Sequence, residues 1–244
     1  MEEVLGIDIG GSGIKGTIVN TNTGKFLAER HRIETPQPAT PEAISKTVHK
    51  IVKYFSWSGK IGCGFPAVVQ NGVVKTASNI DSSCIGINAN KLFGKATKCK
   101  VKVFNDADAA GFAELKLGGR RNIKGSVLFL TIGTGIGSAM FYKGKLIPNT
   151  EFGHIYMNNG LIAEKYCSDA IRKKEDLNWD QWGMRFNEYL EYLDKLFYPE
   201  LIILGGGTSK KIEKFKDQLK IKTPVESARL LNQAGIIGAA LLAK

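Results

Sequence analysis

Three glycine-rich turns hold the first residues suited to chemistry. In Asp8-x-Gly10-Gly11-Ser12-Gly13-x-Lys15 a carboxylate ends an apolar run, and a turn rich in backbone N–H groups follows. Such turns form anion-binding concavities, and glycine lets the backbone come close to phosphate. Asp8 suits Mg²⁺, which takes few carboxylates beside phosphate oxygens, and Lys15 suits phosphate charge. A plain hairpin with a fortuitous aspartate fits the same run. It is not a Walker loop, because Gly16 rather than Ser or Thr follows Lys15. Nor is it a dinucleotide fingerprint, because the chain returns in a strand instead of a helix. A second such turn contains Thr131, Gly133, Thr134 and Gly135. The third, Gly205-Gly206-Gly207, stands between a strand and a basic helix that carries Lys210. A strand–glycine–helix junction suits a phosphate at a helix N-terminus.

Asp106, in FNDADAAG, follows an apolar strand and opens a helical pattern. Two readings stay open from the residues alone: a general base, or a helix N-cap. Asp108 reads as a first-turn acid that favours the helix dipole. His31 and His49 read as structural.

The elements that must position these residues follow from hydrophobic periodicity. Strands are expected at Val4–Ile9 and Ile14–Asn20, on either side of the first turn, and at Phe26–Ile33. Thr40 and Pro41 read as N-cap and first residue of a helix through Ile44, Val48, Ile51 and Phe55. Lys60–Phe65 and Val101–Phe104 read as strands, Asn71-Gly72 as a hairpin turn, and Asn90–Lys95 and Asn105–Leu117 as helices. Ser126–Thr131 and Ile136–Tyr142 flank the second turn, Asp180–Phe197 is a long helix, and Leu201–Leu204 leads into the third turn. A small-residue helix closes the chain near Gln233–Leu242. IDIGGSGIKGTIV aligns with LTIGTGIGSAMF if one gap is allowed, so a duplicated half-domain is expected, in α/β layers.

Composition bounds the classes. With 244 residues, 43% hydrophobic and 23% charged, the chain has ample apolar surface for folding. No apolar run approaches the ~20 residues of a membrane span, and MEEVLGIDIG lacks a signal-peptide pattern. Cys63, Cys84, Cys99 and Cys167 form no CxxC pair, which fits a reducing cytoplasm. The net charge of +11 favours polyanionic partners.

The ordered motifs GIDIGGSGIKG, TPQPATP, FPAVVQNGVV, FNDADAAG, LTIGTGIGSA, LIPNTEFGH, LIILGGGTSKK and NQAGIIGAALLA resemble the sugar kinase, actin and Hsp70 superfamily. More narrowly the chain resembles the ROK family of bacterial sugar kinases, in its polyphosphate-using glucokinase branch. The resemblance runs from residue 5 to residue 243. It implies an α/β fold of two ribonuclease H-like, actin/hexokinase-type domains with a cleft between them. The expected division is 1–106 plus 233–244 against 107–232. It implies a glucokinase that phosphorylates the 6-hydroxyl of glucose, with Asp106 as catalytic base and Asn79, Asn105, Glu151 and His154 at sugar-contacting positions. Expected companions are Mg²⁺, polyphosphate or ATP as donor, and a second copy in a homodimer. No nucleic acid or membrane partner is expected. Closure of the two halves around glucose, between Asp106 and Glu151, is expected to limit donor hydrolysis. Many relatives carry a cysteine-rich zinc knuckle after the GH pair. Here the run after His154 holds only Cys167, so no zinc site is expected.

Basic clusters bear on the donor. They are Lys116, Arg120, Arg121 and Lys124; Lys165, Arg172, Lys173 and Lys174; and six lysines in 208–222. Lys210 and Lys211 are expected nearest the transferred phosphate, with Arg120, Arg121 and Lys124 farther along. The alternatives are an ATP-dependent or dual-donor hexokinase of the same fold, and a sugar-sensing regulator. The regulator is disfavoured because no helix-turn-helix precedes the strand at Val4.

Overall fold

Apolar residues on both faces, Val4 on one and Leu5, Ile7 and Ile9 on the other, all wholly buried, make the first strand of a layered unit. The computed structural model describes residues 2–78, 80–119 and 123–244. Strands β1 (Glu3–Ile9) and β2 (Ile14–Asn20) pair antiparallel, with Asp8 opposite Lys15 and Ile9 opposite Ile14. β3 (His31–Ile33) adds to β2. Helix α1 (Pro41–Tyr54) starts as expected, with the Thr40 hydroxyl accepting the Ala43 amide at 3.3 Å and proline in the first turn. β4 (Ile61–Phe65) follows, then a hairpin of β5 (Val69–Gln70) and β6 (Val73–Val74). Its turn residues Asn71 and Gly72 have φ of 52° and 79°, the left-handed pair that an Asn-Gly hairpin requires. Helix α2 (Ala89–Thr97), strand β7 (Val101–Asn105) and helix α3 (Asp106–Leu117) complete this run. The sheet order is β3-β2-β1-β4-β7, with β1, β4 and β7 parallel.

One expected strand shortens. Of Phe26–Ile33 only His31–Ile33 is strand, with a single bridge from Phe26 to Val19. The Thr17 hydroxyl takes the Ala28 carbonyl at 2.8 Å, which occupies an acceptor a ladder would use.

The second unit repeats the plan. β8 (Ser126–Ile132) and β9 (Ile136–Tyr142) pair antiparallel, and β10 (Lys145–Ile147) adds to β9. Short helices α4 (Ala163–Cys167) and α5 (Asp169–Lys174) precede the long α6 (Trp179–Phe197), which opens with an Asn178–Gln181 capping box. β11 (Leu201–Gly205), the single turn α7 (Gly206–Ser209) and β12 (Val225–Ser227) follow. The order β10-β9-β8-β11-β12 has the same strand directions as the first sheet. The gap needed to align the two halves is one residue. Four residues separate Ile9 from Ile14, and three separate Ile132 from Ile136.

Helix α8 (Ala234–Ala243) returns to the first unit. It lies against β1, β4 and α3 because glycines remove the side chains that would block it. A Cβ at Gly6 would stand 2.3 Å from the Ile236 carbonyl oxygen, and one at Gly62 would stand 1.9 Å from that of Ala239. One at Gly238 would stand 1.6 Å from the Ala109 oxygen. The chain divides into residues 1–119 with 233–244, and 120–232. The first boundary falls after α3 rather than at 106/107, because α3 packs on α8.

Residues 208–222, expected as a basic helix, are not one. α7 spans four residues, and two isolated 3₁₀ turns follow at Ile212–Lys214 and Lys216–Gln218. Phe215 is wholly buried among Trp179, Trp182 and Phe186, and the Lys220 amide donates to Asn187 Oδ1 at 2.6 Å, which holds the segment off a helical path.

Candidate active site

In the first unit the turn Gly10–Gly13 is closed by the Gly10 amide donating to the Gly13 carbonyl at 3.1 Å. Two of its other carbonyls are held from outside. Thr35 Oγ1 donates to Gly10 O at 2.5 Å, and Arg32 Nη2 donates to Ser12 O at 2.8 Å. The amides of Gly11, Ser12 and Gly13 have no acceptor among the described residues. The turn therefore presents donors, as an anion cradle must. None of these glycines has a left-handed φ, so the requirement is space. A Cβ on Gly13 would sit 2.6 Å from Arg32 Nε, while one on Gly11 would meet nothing within 4 Å.

Asp8 stands beside this turn with its Oδ2 3.9 Å from Lys15 Nζ. Burial pushes its carboxyl above the usual range, and Lys15 and Arg30 oppose that shift. A side chain at Gly235, in α8, would stand 3.1 Å from Asp8 Oδ1, so glycine keeps room there. A carboxylate with its lysine partner as far as 3.9 Å away, room on its Gly235 side and a turn of free amides beside it fits magnesium, which needs one or two protein carboxylates.

At the end of β7 the capping question has an answer. Asn105 is the N-cap: its Oδ1 accepts the Asp108 amide at 3.0 Å, and its Nδ2 donates to Ala67 O at 3.1 Å. Asp106 is the first helical residue, half-buried, with Oδ1 accepting the Ala107 amide at 2.8 Å. Asp108 is almost wholly buried. Asn79 lies outside the described residues.

In the second unit the turn is again closed across itself, Gly133 N to Gly135 O at 3.0 Å, and tied to α5 by Ala170 N donating to Gly133 O at 3.2 Å. The amides of Thr134 and Gly135 have no acceptor among the described residues. Gly206 carries φ of 77°, and a Cβ there would lie 2.5 Å from Ile132 O, so the third glycine turn packs directly on the second. Gly205 belongs to β11 and faces the Phe129 ring; Gly207 meets nothing within 4 Å. Lys210 is exposed at the end of α7.

Glu151 and His154 bracket a 3₁₀ turn at Phe152–His154. Ser138 clamps it by donating to Thr150 O at 2.7 Å and accepting from the Phe152 amide at 2.9 Å. Glu151 Oε2 lies 3.4 Å from His154 Nδ1. Burial raises the Glu151 carboxyl above its usual range; His154 opposes this and Glu164 adds to it. Sequence reasoning missed Glu164. Its Oε2 lies 4.0 Å from His154 Nε2, and it abuts Gly135, where a Cβ would be 2.5 Å away. α4 delivers it, pinned by the Ala163 amide on Ile155 O at 2.9 Å. Two carboxylates and an imidazole suit a polyol, whose hydroxyls both donate and accept. Arg30 and Arg32, around the first turn, were also missed.

The basic clusters divide. Arg172 and Lys173 are bonded to Asp169 at 2.9 and 2.7 Å, and Lys165 lies 3.5 Å from Glu164. Arg120 and Arg121 lie outside the described residues. Among the described residues no group of three His, Cys, Asp or Glu side chains is placed to hold a metal ion, and no helix is long and apolar enough to cross a membrane.

The ROK family model matches residues 4–174. A polyphosphate glucokinase of Mycobacterium tuberculosis (strain CDC 1551 / Oshkosh) is 46% identical over 238 residues, 97% of this chain and 89% of that protein. The crystal structure of the inorganic polyphosphate/ATP-glucomannokinase from Arthrobacter sp. strain KM superposes with a TM-score of 0.95 at 42% identity, covering 100% of this chain and 98% of that one. A ROK family glucokinase from Streptomyces griseus, in complex with glucose and AMPPNP, shares the fold at TM-score 0.84 and 23% identity, covering 99% of both chains.

Proposed function

Because the chain belongs to the ROK family, we propose that it transfers a phosphoryl group from inorganic polyphosphate to the 6-hydroxyl of glucose. The observation that carries the donor and the sugar is the 46% identity to polyphosphate glucokinase along nearly the whole chain. Asp106 accepts the hydroxyl proton as the oxygen attacks the terminal phosphorus, and the bridging P–O bond breaks to release polyphosphate one unit shorter. Phosphoryl transfer is mostly positioning and charge stabilisation, so the remaining residues bind and orient. Glu151, His154 and Glu164 hold sugar hydroxyls. The free amides of the two hairpin turns hold phosphate oxygens, and Lys15 offsets their charge. Asp8 is the residue that would hold magnesium, which neutralises donor phosphates when bound. Dual use of ATP is a second reading, favoured by the Arthrobacter neighbour, whose name includes both donors.

The test is glucose phosphorylation assayed in parallel with long-chain polyphosphate and ATP across a salt series. Polyphosphate turnover is expected, with KM rising more steeply with salt than for ATP, because a polyanion releases more counterions on binding. Equal salt slopes would leave an ATP enzyme with an incidentally basic surface.

Glu151 sets a pH dependence. Its raised carboxyl takes up a proton, as pH falls, before an ordinary glutamate would. Protonation removes an acceptor from the sugar site. The KM for glucose should therefore climb on an acid limb that starts above the usual carboxylate range. Glu151→Gln should weaken glucose at neutral pH and flatten that limb. An unchanged limb in the variant would assign it to another group.

A further inference from the structure

Helices α1 and α2 carry charge that no described acid answers. Lys46, Lys50 and Lys53 are exposed on α1, and Lys91 and Lys95 on α2, with Lys98 at its C-cap. Lys46, Lys50 and Lys53 run i, i+4, i+7 and make one stripe about 10 Å long on α1, and Lys91 and Lys95 run i, i+4 on α2 with Lys98 just beyond its end. The two helices pack on each other and bury their opposite sides. Residues 41–54 hold three lysines and one glutamate, and residues 89–102 hold five lysines and no acid. These segments account for seven of the chain's eleven net positive charges. None of the six lysines pairs with a carboxylate among the described residues. Like charges at i, i+4 weaken a helix, so helix stability does not explain the pattern.

The stripe on α1 leads away from the donor turn. β3 ends at Ile33, opposite Ile14, the first residue after the glycines. α1 begins at Pro41 and must return the chain to Ile61, which pairs with Leu5 near the start of β1. Lys46 is thus nearer the turn's end of the unit and Lys53 farther.

We propose that the α1–α2 face anchors the distal part of a long inorganic polyphosphate chain while its terminus occupies the donor turn, an inference that rests on the polyphosphate reading above. A flexible phosphate chain asks for loosely spaced point charges, and all six cations are lysines, compact ammonium groups without the bidentate fork of arginine. Nucleic-acid channels interleave aromatic platforms for bases. Here Tyr54, exposed at the end of the first stripe, has one face stacked on His31 with centroids 3.8 Å apart. Anchoring raises the effective concentration of phosphate at the turn, and a donor too short to span the distance gains nothing.

The test is the five-fold variant Lys46→Gln, Lys50→Gln, Lys53→Gln, Lys91→Gln and Lys95→Gln. It keeps good helix formers and leaves Lys98, whose φ is 59°, in place. KM is measured for long-chain polyphosphate, tetrapolyphosphate and ATP at one ionic strength, and long-chain binding is read by fluorescence anisotropy. Long-chain KM and binding should weaken about tenfold or more, with a shallower salt slope, while both short donors change less than about twofold. Unchanged long-chain binding and KM overturn the anchor, as does an equal loss with ATP. If the native enzyme turns over no polyphosphate, the donor reading fails by itself, and the binding comparison alone decides the anchor. Tighter binding of single-stranded nucleic acid than of polyphosphate, lost in the variant, would give the face to nucleic acid and end the proposal.

Discussion

Asp106→Asn is expected to lower kcat for glucose phosphorylation by roughly 100-fold or more, the usual range for loss of a general base. The substitution keeps the shape and an oxygen for the Ala107 amide that Asp106 Oδ1 now accepts. It also leaves the helix cap alone, because Asn105 and not Asp106 caps α3. A fall in kcat with glucose affinity retained would therefore report proton transfer rather than a frayed helix. A variant with near-native kcat would remove Asp106 from the chemistry. Asn105→Ala makes the contrast: it takes away the bonds to Asp108 N and Ala67 O and should cost stability as well as rate.

Gly238→Ala should destabilise the protein by about 3 kcal/mol, the upper part of the range for overpacking. The added carbon would fall 1.6 Å from the Ala109 oxygen, and backbone cannot rotate aside as a side chain can. α8 must then lift from α3. For a chain of this length that is a loss of roughly 6–12 °C in Tm. Because α3 carries Asp106, kcat should fall with it at temperatures where the protein stays folded. A Tm within about 2 °C of the parent would show that the two helices separate at little cost.

Elements whose signals are local were legible from the residues. Thr40 and Pro41 start α1, Asn71 and Gly72 make the hairpin turn, and the paired apolar runs around each glycine turn became β1–β2 and β8–β9. The resemblance of the two halves reflects one sheet plan used twice. What failed depended on distant partners. Ile212, Phe215 and Leu219 have helical spacing, yet Phe215 is drawn into the aromatic cluster on α6 and the helix does not form. Lys173 and Arg172 look like free charge in sequence, but Asp169 takes both. Burial pushes that carboxyl up, and their hydrogen bonds bring it below the usual range. Glu164 stands ten residues beyond His154 and joins it only because α4 folds back on Ile155. The lysine stripes on α1 and α2 emerge only once the helices bury their apolar faces on each other and leave these residues outward.

The return of α8 to the first unit bears on how the chain is made. Residues 120–232 form the second unit without interruption, whereas the first needs residues 233–244. At a ribosomal pace of roughly 5–20 residues per second, some 10 s pass between emergence of α3 and arrival of α8. During that interval Gly6, Gly62 and Gly238's partner Ala109 leave an open furrow along β1, β4 and α3. The later-synthesised half is thus free to fold first, and the unit bearing Asp106 is sealed last. For that time the first unit stays open while the second is still being made, the stage at which a chaperone would have an apolar surface to hold.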